Sequence, residues 1–181
     1  MMQLRVDQII KIVDERNTDR MITDFYGINI NKEFMPTAAN TDGVDAGKYK
    51  IVRNNRFVFS GMQTGRDECI RISLYKGTKP IIVSPAYTTF EIDDNLVLPE
   101  YFFMLFLRNE MDRYGWFISD SSIRANLDLD RFGEITFEIP PIYIQEKYVG
   151  IYRALIRVEK FRKQIKDICP ILIQSALEEA K

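Results

Sequence analysis

The feature that most limits how this chain can fold is a stop between two periodicities, ITFEIPPIYIQ over Ile135–Gln145. Ile135, Phe137 and Ile139 alternate with Thr136 and Glu138, the period of a strand with one buried face. Pro140-Pro141 offers no ladder donor and holds Ile139 extended, so the strand must end there. Beyond Gln145 apolar residues recur at helical spacing for most of what remains. The chain therefore divides into a sheet-containing body, residues 1–141, and a helical arm, residues 142–181.

Within the body the pattern is mostly that of strands. Residues 1–20 carry Leu4, Val6, Ile9, Ile10, Ile12 and Val13 and suggest a strand with a short turn before it. FYGINI, YKIV, RFVFS, ECIRISLY, IIVS and TTFEI read as further strands, with MPTAANTDGVDAGK as a polar loop and Asn54-Asn55 as a tight turn joining YKIV to RFVFS. LPEYFFMLFLRNEMDRYGWF reads as one helix, with Pro99 near its start and Gly115 after its end, apolar nearly all round and so packed on the sheet.

The arm has a heptad. Ile151, Leu155, Val158, Arg162, Ile165, Cys169 and Leu172 follow a 4-3-4-3-4-3 spacing in which Arg162 alone is polar. That spacing builds a coiled-coil seam, so Ile151, Leu155, Val158, Ile165 and Leu172 are the expected dimerisation residues. The alternative is a helix packed back on the body. Pro170 is expected to kink or end the helix, with ILIQSALEEA as a second short one.

Composition removes many chemistries. The 181 residues include no histidine and two cysteines, Cys69 and Cys169, so no histidine triad, histidine metal ligand or zinc site is available and no metal is expected. The two separate thiols suit a reducing, cytoplasmic setting. No apolar run approaches the roughly 18 residues of a membrane span, and the charged MMQLRVDQIIKIVDERN does not read as a signal peptide.

Net charge is −1, which argues against a generic polyanion binder. The distribution is uneven: from Lys48 to Lys79 eight basic residues face only Asp67 and Glu68, and from Ile142 onward eight basic residues face five acidic ones. Such an excess forms a patch only where the fold gathers it.

Over nearly the whole chain the order of motifs resembles that of a known family. Ser121-Ser122-Ile123-Arg124, Leu127, Phe132, Ile135, Ile139-Pro140-Pro141 and Gln145 look like the end of a target recognition domain. Tyr49–Val52, Phe57–Phe59, Val83–Tyr87 and Pro99–Tyr101 fall in the same order. Such domains belong to the DNA-specificity subunits of type I restriction-modification enzymes. The resemblance implies an α+β target recognition domain followed by a long coiled-coil helix. It also implies sequence-specific binding of double-stranded DNA at a bipartite site, without catalysis or a cofactor in this chain. The implied partners are methyltransferase subunits, which use S-adenosylmethionine, and restriction subunits. Family subunits carry two recognition domains separated by two long helices, whereas this chain holds one of each. It is therefore expected to be half of a longer subunit, or a half-subunit that forms a homodimer through its arm.

The residues expected to reach DNA are Arg56, Gln63, Thr64, Arg66, Arg71, Lys76, Lys79, Ser121, Ser122, Arg124 and Asn126. Gln63 and Arg66 suit paired hydrogen bonds to purine edges, and the Ser119–Asn126 run suits phosphate oxygens. The bland alternatives are a solvated hairpin loop for Gly61–Arg66 and capping of the Leu127–Phe132 turn. Tyr87, Tyr101 and Trp116 could stack on bases, but core packing is the better account of them. Ile139-Pro140-Pro141-Ile142-Tyr143 is not the Asn-Pro-Pro-Tyr motif of amino-methyltransferases, since Ile139 cannot accept from an amino group. Gly61–Arg66 lacks the Gly-Lys-Ser/Thr of a phosphate loop. Two rival classes stand beside DNA reading. One is an interaction half-subunit that binds protein through its arm and no DNA; the other is a carboxylate-and-magnesium nuclease, which no compact Asp…Glu-x-Lys cluster supports.

Overall fold

A computed structural model describes the chain apart from residues 39–40, 42, 63, 121–125 and 181 and the side chains of 65 and 66. It divides into two compact units, Met1–Ile142 and Tyr143–Lys181. The strands of the first unit are β1 (Met2–Arg5), β2 (Ile10–Ile12), β3 (Phe25–Ile28), β4 (Phe34–Pro36), β5 (Lys50–Val52), β6 (Phe57–Ser60), β7 (Arg71–Leu74), β8 (Ile81–Val83), β9 (Thr88–Ile92) and β10 (Thr136–Ile139). Its helices are α1 (Val6–Ile9), α2 (Thr64–Asp67), α3 (Pro99–Leu105), α4 (Asn109–Ile118) and α5 (Leu129–Glu134). The fold is mixed α and β, with the long C-terminal helix α6 (Ile142–Glu179).

Among the described residues the strands form two four-stranded sheets and a two-stranded ribbon. The first sheet has the order β2-β9-β6-β7 and is antiparallel throughout. The second, β4-β3-β8-β5, has β3 and β8 parallel and its other neighbours antiparallel. The ribbon pairs β1 with β10 from Met2↔Ile139 to Arg5↔Thr136. Its β10 alternates exposed and buried as the sequence pattern requires: Ile135, Phe137 and Ile139 are buried while Thr136 and Glu138 are exposed.

Strand β6 explains the core. All four of its residues are buried, which is why it reads as an unbroken run rather than an alternation. Phe57 and Phe59 enter the larger cluster with Phe90, Phe102, Phe106, Phe132 and Phe137, and Val58 enters a second cluster with Ile28, Val52, Ile81 and Val83. The phenylalanines meet as offset or edge-on pairs: Phe57 lies 5.0 Å from Phe90, and Phe59 lies 4.1 Å from Phe132. Such pairs add roughly 0.5–1.5 kcal/mol each beyond burial.

Four sequence expectations need correction. First, β5 and β6 flank the Asn54-Asn55 turn without forming a hairpin, because β5 pairs with β8 and β6 with β7 and β9. Asn55 does adopt the left-handed conformation, at φ 64°, and the turn carries the chain from one sheet to the other. Second, the segment 98–117 is two helices. Phe106 turns into the core and Arg108 is extended at φ −82°, ψ 133°. Gly115 lies inside α4, where a Cβ would come within 2.3 Å of the Ile70 side chain. Third, the polar loop after FYGINI contains β4, with Pro36 on the edge of its sheet, where a missing donor is tolerated. Fourth, α6 runs through Pro170 to Glu179 as one helix; the proline removes one intrahelical bond without ending the helix.

Candidate nucleic-acid interface

Two loops named from the sequence are brought together at their roots. The loop 61–70 links β6 to β7, which pair from Phe57↔Leu74 to Ser60↔Arg71, so it leaves the sheet at the Ser60–Arg71 end. The second polar segment follows α4 and runs into α5. Leu127 donates its backbone N–H to the Gly61 carbonyl at 2.8 Å. The approach is so close that a Cβ at Gly61 would lie 1.7 Å from the Leu127 oxygen. Glycine is required here by proximity.

Each loop is also braced internally. Thr64 Oγ1 donates to the Gly61 carbonyl at 3.1 Å. Asp120 donates its N–H to the Asn126 carbonyl at 2.9 Å and accepts the Asn126 N–H on Oδ1 at 3.1 Å. This exchange closes the span 121–125 at its base. The Asp128 carboxylate caps α5 by accepting from the Arg131 N–H at 2.8 Å, as a helix start with Asp at the N-cap should. Gln63, Ser121, Ser122 and Arg124 lie outside the described residues, as does the side chain of Arg66; the described residues on either side fix where their loops begin and end.

The remaining candidates separate. Arg56 is corrected as a DNA contact: it is 5% exposed, and its guanidinium is held by Glu15 Oε2 at 2.7 Å, Glu91 Oε1 at 2.7 Å and the Ile51 carbonyl at 2.8 Å. Drawing it out would break its ion pairs with Glu15 and Glu91 and its bond to the Ile51 carbonyl. Thr64 is likewise corrected, since it is fully buried and its hydroxyl braces the loop. Arg71 is partly buried and paired with Asp67, at the loop end of β7. Lys76 bonds Glu100 and Asn55, each at 2.8 Å, and is about half exposed. Lys79 is exposed, and its carbonyl accepts from the Tyr75 hydroxyl. Both lysines follow Leu74, at the opposite end of the β6–β7 hairpin from the Ser60–Arg71 pair. Of these candidates, Arg56 is thus buried in an ion-pair cluster while the others lie at the two ends of one hairpin.

That cluster has its own electrostatics. The Arg53 side chain, together with Arg56, holds the Glu15 carboxyl below its ordinary value, against the opposing effect of partial burial. Glu15 in turn sits beside the strand edge, where its carbonyl accepts the Ile51 N–H at 2.8 Å.

Sequence reasoning missed the aromatic end of α4. Trp116 is half exposed, correcting its assignment to the core, and Phe117 is 82% exposed. Tyr114 on the same helix is 44% exposed. Helical spacing around the buried Met111 and Gly115 was the available signal. Tyr101 does pack against the larger core cluster, and Tyr87 against the smaller one. In the second unit the heptad residues are exposed: Ile151, Leu155, Val158, Ile165 and Leu172 are each at least half accessible. Among the described residues no cluster of three potential metal ligands occurs, and no helix is long and apolar enough to cross a membrane.

No curated protein matches. Three solved structures share the fold. One is the type I restriction-modification S subunit from M. genitalium, at 14% identity and TM-score 0.54, covering 94% of this chain and 43% of that one. Another is the HsdS subunit from Thermoanaerobacter tengcongensis, at 10% identity and TM-score 0.51, covering 90% and 39%. A third comes from work on complex assembly and conformational transition of the type I R-M system, at 8% identity and TM-score 0.50, covering 98% and 42%. The chain spans about two fifths of the length of these structures. The family model for the type I restriction modification DNA specificity domain matches residues 7–169, nearly all of the body and most of the arm, and the chain belongs to that family.

Proposed function

We propose that this chain reads DNA sequence for a type I restriction-modification system and is itself non-catalytic. Residues 1–141 act as the target recognition domain and residues 142–181 as spacer and dimerisation arm. It directs methyltransferase and restriction subunits to a split site, with a second recognition domain supplied by another copy or by a longer subunit. The observation that carries this is the Leu127–Gly61 hydrogen bond, which roots the Gly61–Arg66 loop and the Ser119–Asn126 segment side by side. Gln63 and Arg66 of the first segment are assigned to base edges, and Ser121, Ser122, Arg124 and Asn126 of the second to phosphate oxygens. The split of the remaining basic residues accords with a small reading head rather than a broad cationic face.

The test is selection from a randomised DNA library at two salt concentrations, with the methyltransferase subunit present. Arg66→Ala should relax preference at one position per half-site, costing roughly 1–3 kcal/mol for a bidentate contact. Arg124→Ala should weaken all sequences alike and lower the salt dependence by about one counterion. Equal effects of both variants on every sequence would reject these roles. Absence of salt-dependent binding in any form of the complex would reject DNA reading and favour a protein-binding half-subunit.

A further inference from the structure

Where the 61–70 loop returns to β7, a buried lysine and a buried cysteine meet a partly buried aspartate. Lys32 is 6% exposed and Cys69 is 7% exposed. Lys32 Nζ lies 2.8 Å from both carboxylate oxygens of Asp112 and 3.3 Å from Cys69 Sγ. The thiol donates to the Ile30 carbonyl at 3.2 Å, and Asp112 Oδ1 also accepts the Ile70 N–H at 2.9 Å. Two left-handed residues shape the contact: Lys32 itself at φ 62°, in the turn between β3 and β4, and Glu68 at φ 50°, just before Cys69. Burying an ammonium costs several kcal/mol unless it is well paired, and Asp112 supplies that pairing. The cluster joins the β3–β4 turn, the root of the 61–70 loop and α4, segments far apart in sequence.

We propose that Lys32 and Cys69 form a redox-sensitive covalent site, in which peroxide joins Lys32 Nζ to Cys69 Sγ through a single oxygen. Sulfur is the softer partner and reacts first: one peroxide converts S–H to S–OH and leaves as water. Lys32 reacts as the free amine, its extra proton passing to solvent when the cluster opens locally. A second peroxide converts the amine to an N-hydroxylamine, releasing a second water. Condensation of S–OH with the hydroxylamine forms the O–S bond and expels a third water, leaving Nζ–O–Sγ. Sulfur and nitrogen each lose two electrons, and the two peroxides accept the four. The amine stands against the sulfur where further oxidation to a sulfinic acid would otherwise proceed. Burial raises the thiol's pKa, opposed by the Lys32 charge beside it; reaction therefore proceeds through local opening of the short α2–β7 connection, not from a standing surface thiolate.

The exposed Cys169 is removed first, as Cys169→Ser, so that a single thiol remains. Hydrogen peroxide is added to this full chain, followed by intact-mass measurement and peptide mapping. The expected product is heavier by one oxygen and lighter by two hydrogens, carries Lys32 and Cys69 in one linked peptide, melts several degrees higher, and regains its original mass in excess dithiol. Lys32→Arg keeps the ion pair with Asp112 but has no primary amine, and should give neither the linked peptide nor the higher melting point. Recovery of Cys69 as a free thiol, or as sulfinic acid with Lys32 unlinked, overturns the proposal. The map of the Lys32-containing chain decides the matter even if Lys32→Arg does not fold, and its readout, a linked peptide, is obtained without DNA.

Discussion

Gly61→Ala tests the contact that joins the roots of the two candidate loops. The added methyl would lie 1.7 Å from the Leu127 carbonyl oxygen and 2.8 Å from its carbon, backbone atoms that cannot rotate aside. Relief requires Gly61, just after β6, and Leu127 to part, which breaks the 2.8 Å Leu127–Gly61 hydrogen bond. Forced overpacking costs about 1–3 kcal/mol and the lost hydrogen bond about 1 kcal/mol, so the variant should lose roughly 2–4 kcal/mol. For a chain of this length that is a fall of roughly 5–15 °C in Tm. Circular dichroism reports the whole fold, and fluorescence of Trp116, the only tryptophan of the sequence, reports the neighbourhood of the second loop. Gly150→Ala is the matched control: nothing lies within 4 Å of its Cβ and it sits inside α6, so it should be neutral or stabilise by up to about 1 kcal/mol. A Gly61→Ala chain within about 0.5 kcal/mol of the parent, the scatter of surface substitutions, would show that the two loops are not held at this distance.

Other perturbations address separate parts of the molecule. Replacing Leu155 and Ile165 together with Asp should yield a folded monomer by sedimentation, since a coiled-coil seam does not accept buried unpaired carboxylates; a parent chain already monomeric at high micromolar concentration would exclude self-association. Phe132→Ala should cost about 3–5 kcal/mol in urea unfolding, because its ring is fully buried against Phe59 and Phe106; a loss under 1 kcal/mol would mean that this ring cluster collapses freely. Arg53 and Arg56 hold Glu15 below its ordinary value of 4.5, so its contribution to stability is complete above that value and is lost as pH falls through the lower folded one. Glu15→Gln should therefore show a shallower loss of stability than the parent below about pH 5, and parallel curves would refute the linkage.

Local patterns were legible wherever one physical requirement dominated. The alternation of β10, the double-proline stop, the left-handed Asn55, the Asp128 cap and the long helix all follow from side-chain period, missing donors or backbone sterics. The sequence was silent where long-range pairing decides. Nothing in YKIV or RFVFS says that they belong to different sheets, because a turn residue and two apolar runs describe a hairpin equally well. Gly115 looked like a helix end because its role, making room for Ile70, depends on a residue far away in sequence. The charge count overstated the interface for the same reason: Arg56 is one more basic residue in the sequence, yet in the fold it is the buried hub of an ion-pair cluster. At the candidate site, the composition of the loops was legible but their adjacency was not, since it rests on one hydrogen bond spanning more than sixty residues.

The pairing of β1 with β10 bears on how such a unit can be exchanged. The entering strand and the leaving strand of the body lie side by side, in register from Met2↔Ile139 to Arg5↔Thr136. A segment whose entry and exit are neighbours can be lifted out of one polypeptide and spliced into another at a single point, with no other strand rethreaded. Only the ribbon must be matched at the splice, and its ladder is backbone. If the body reads DNA as proposed, new base preferences would be acquired by transplanting it whole onto an unchanged arm, without remodelling loops one residue at a time.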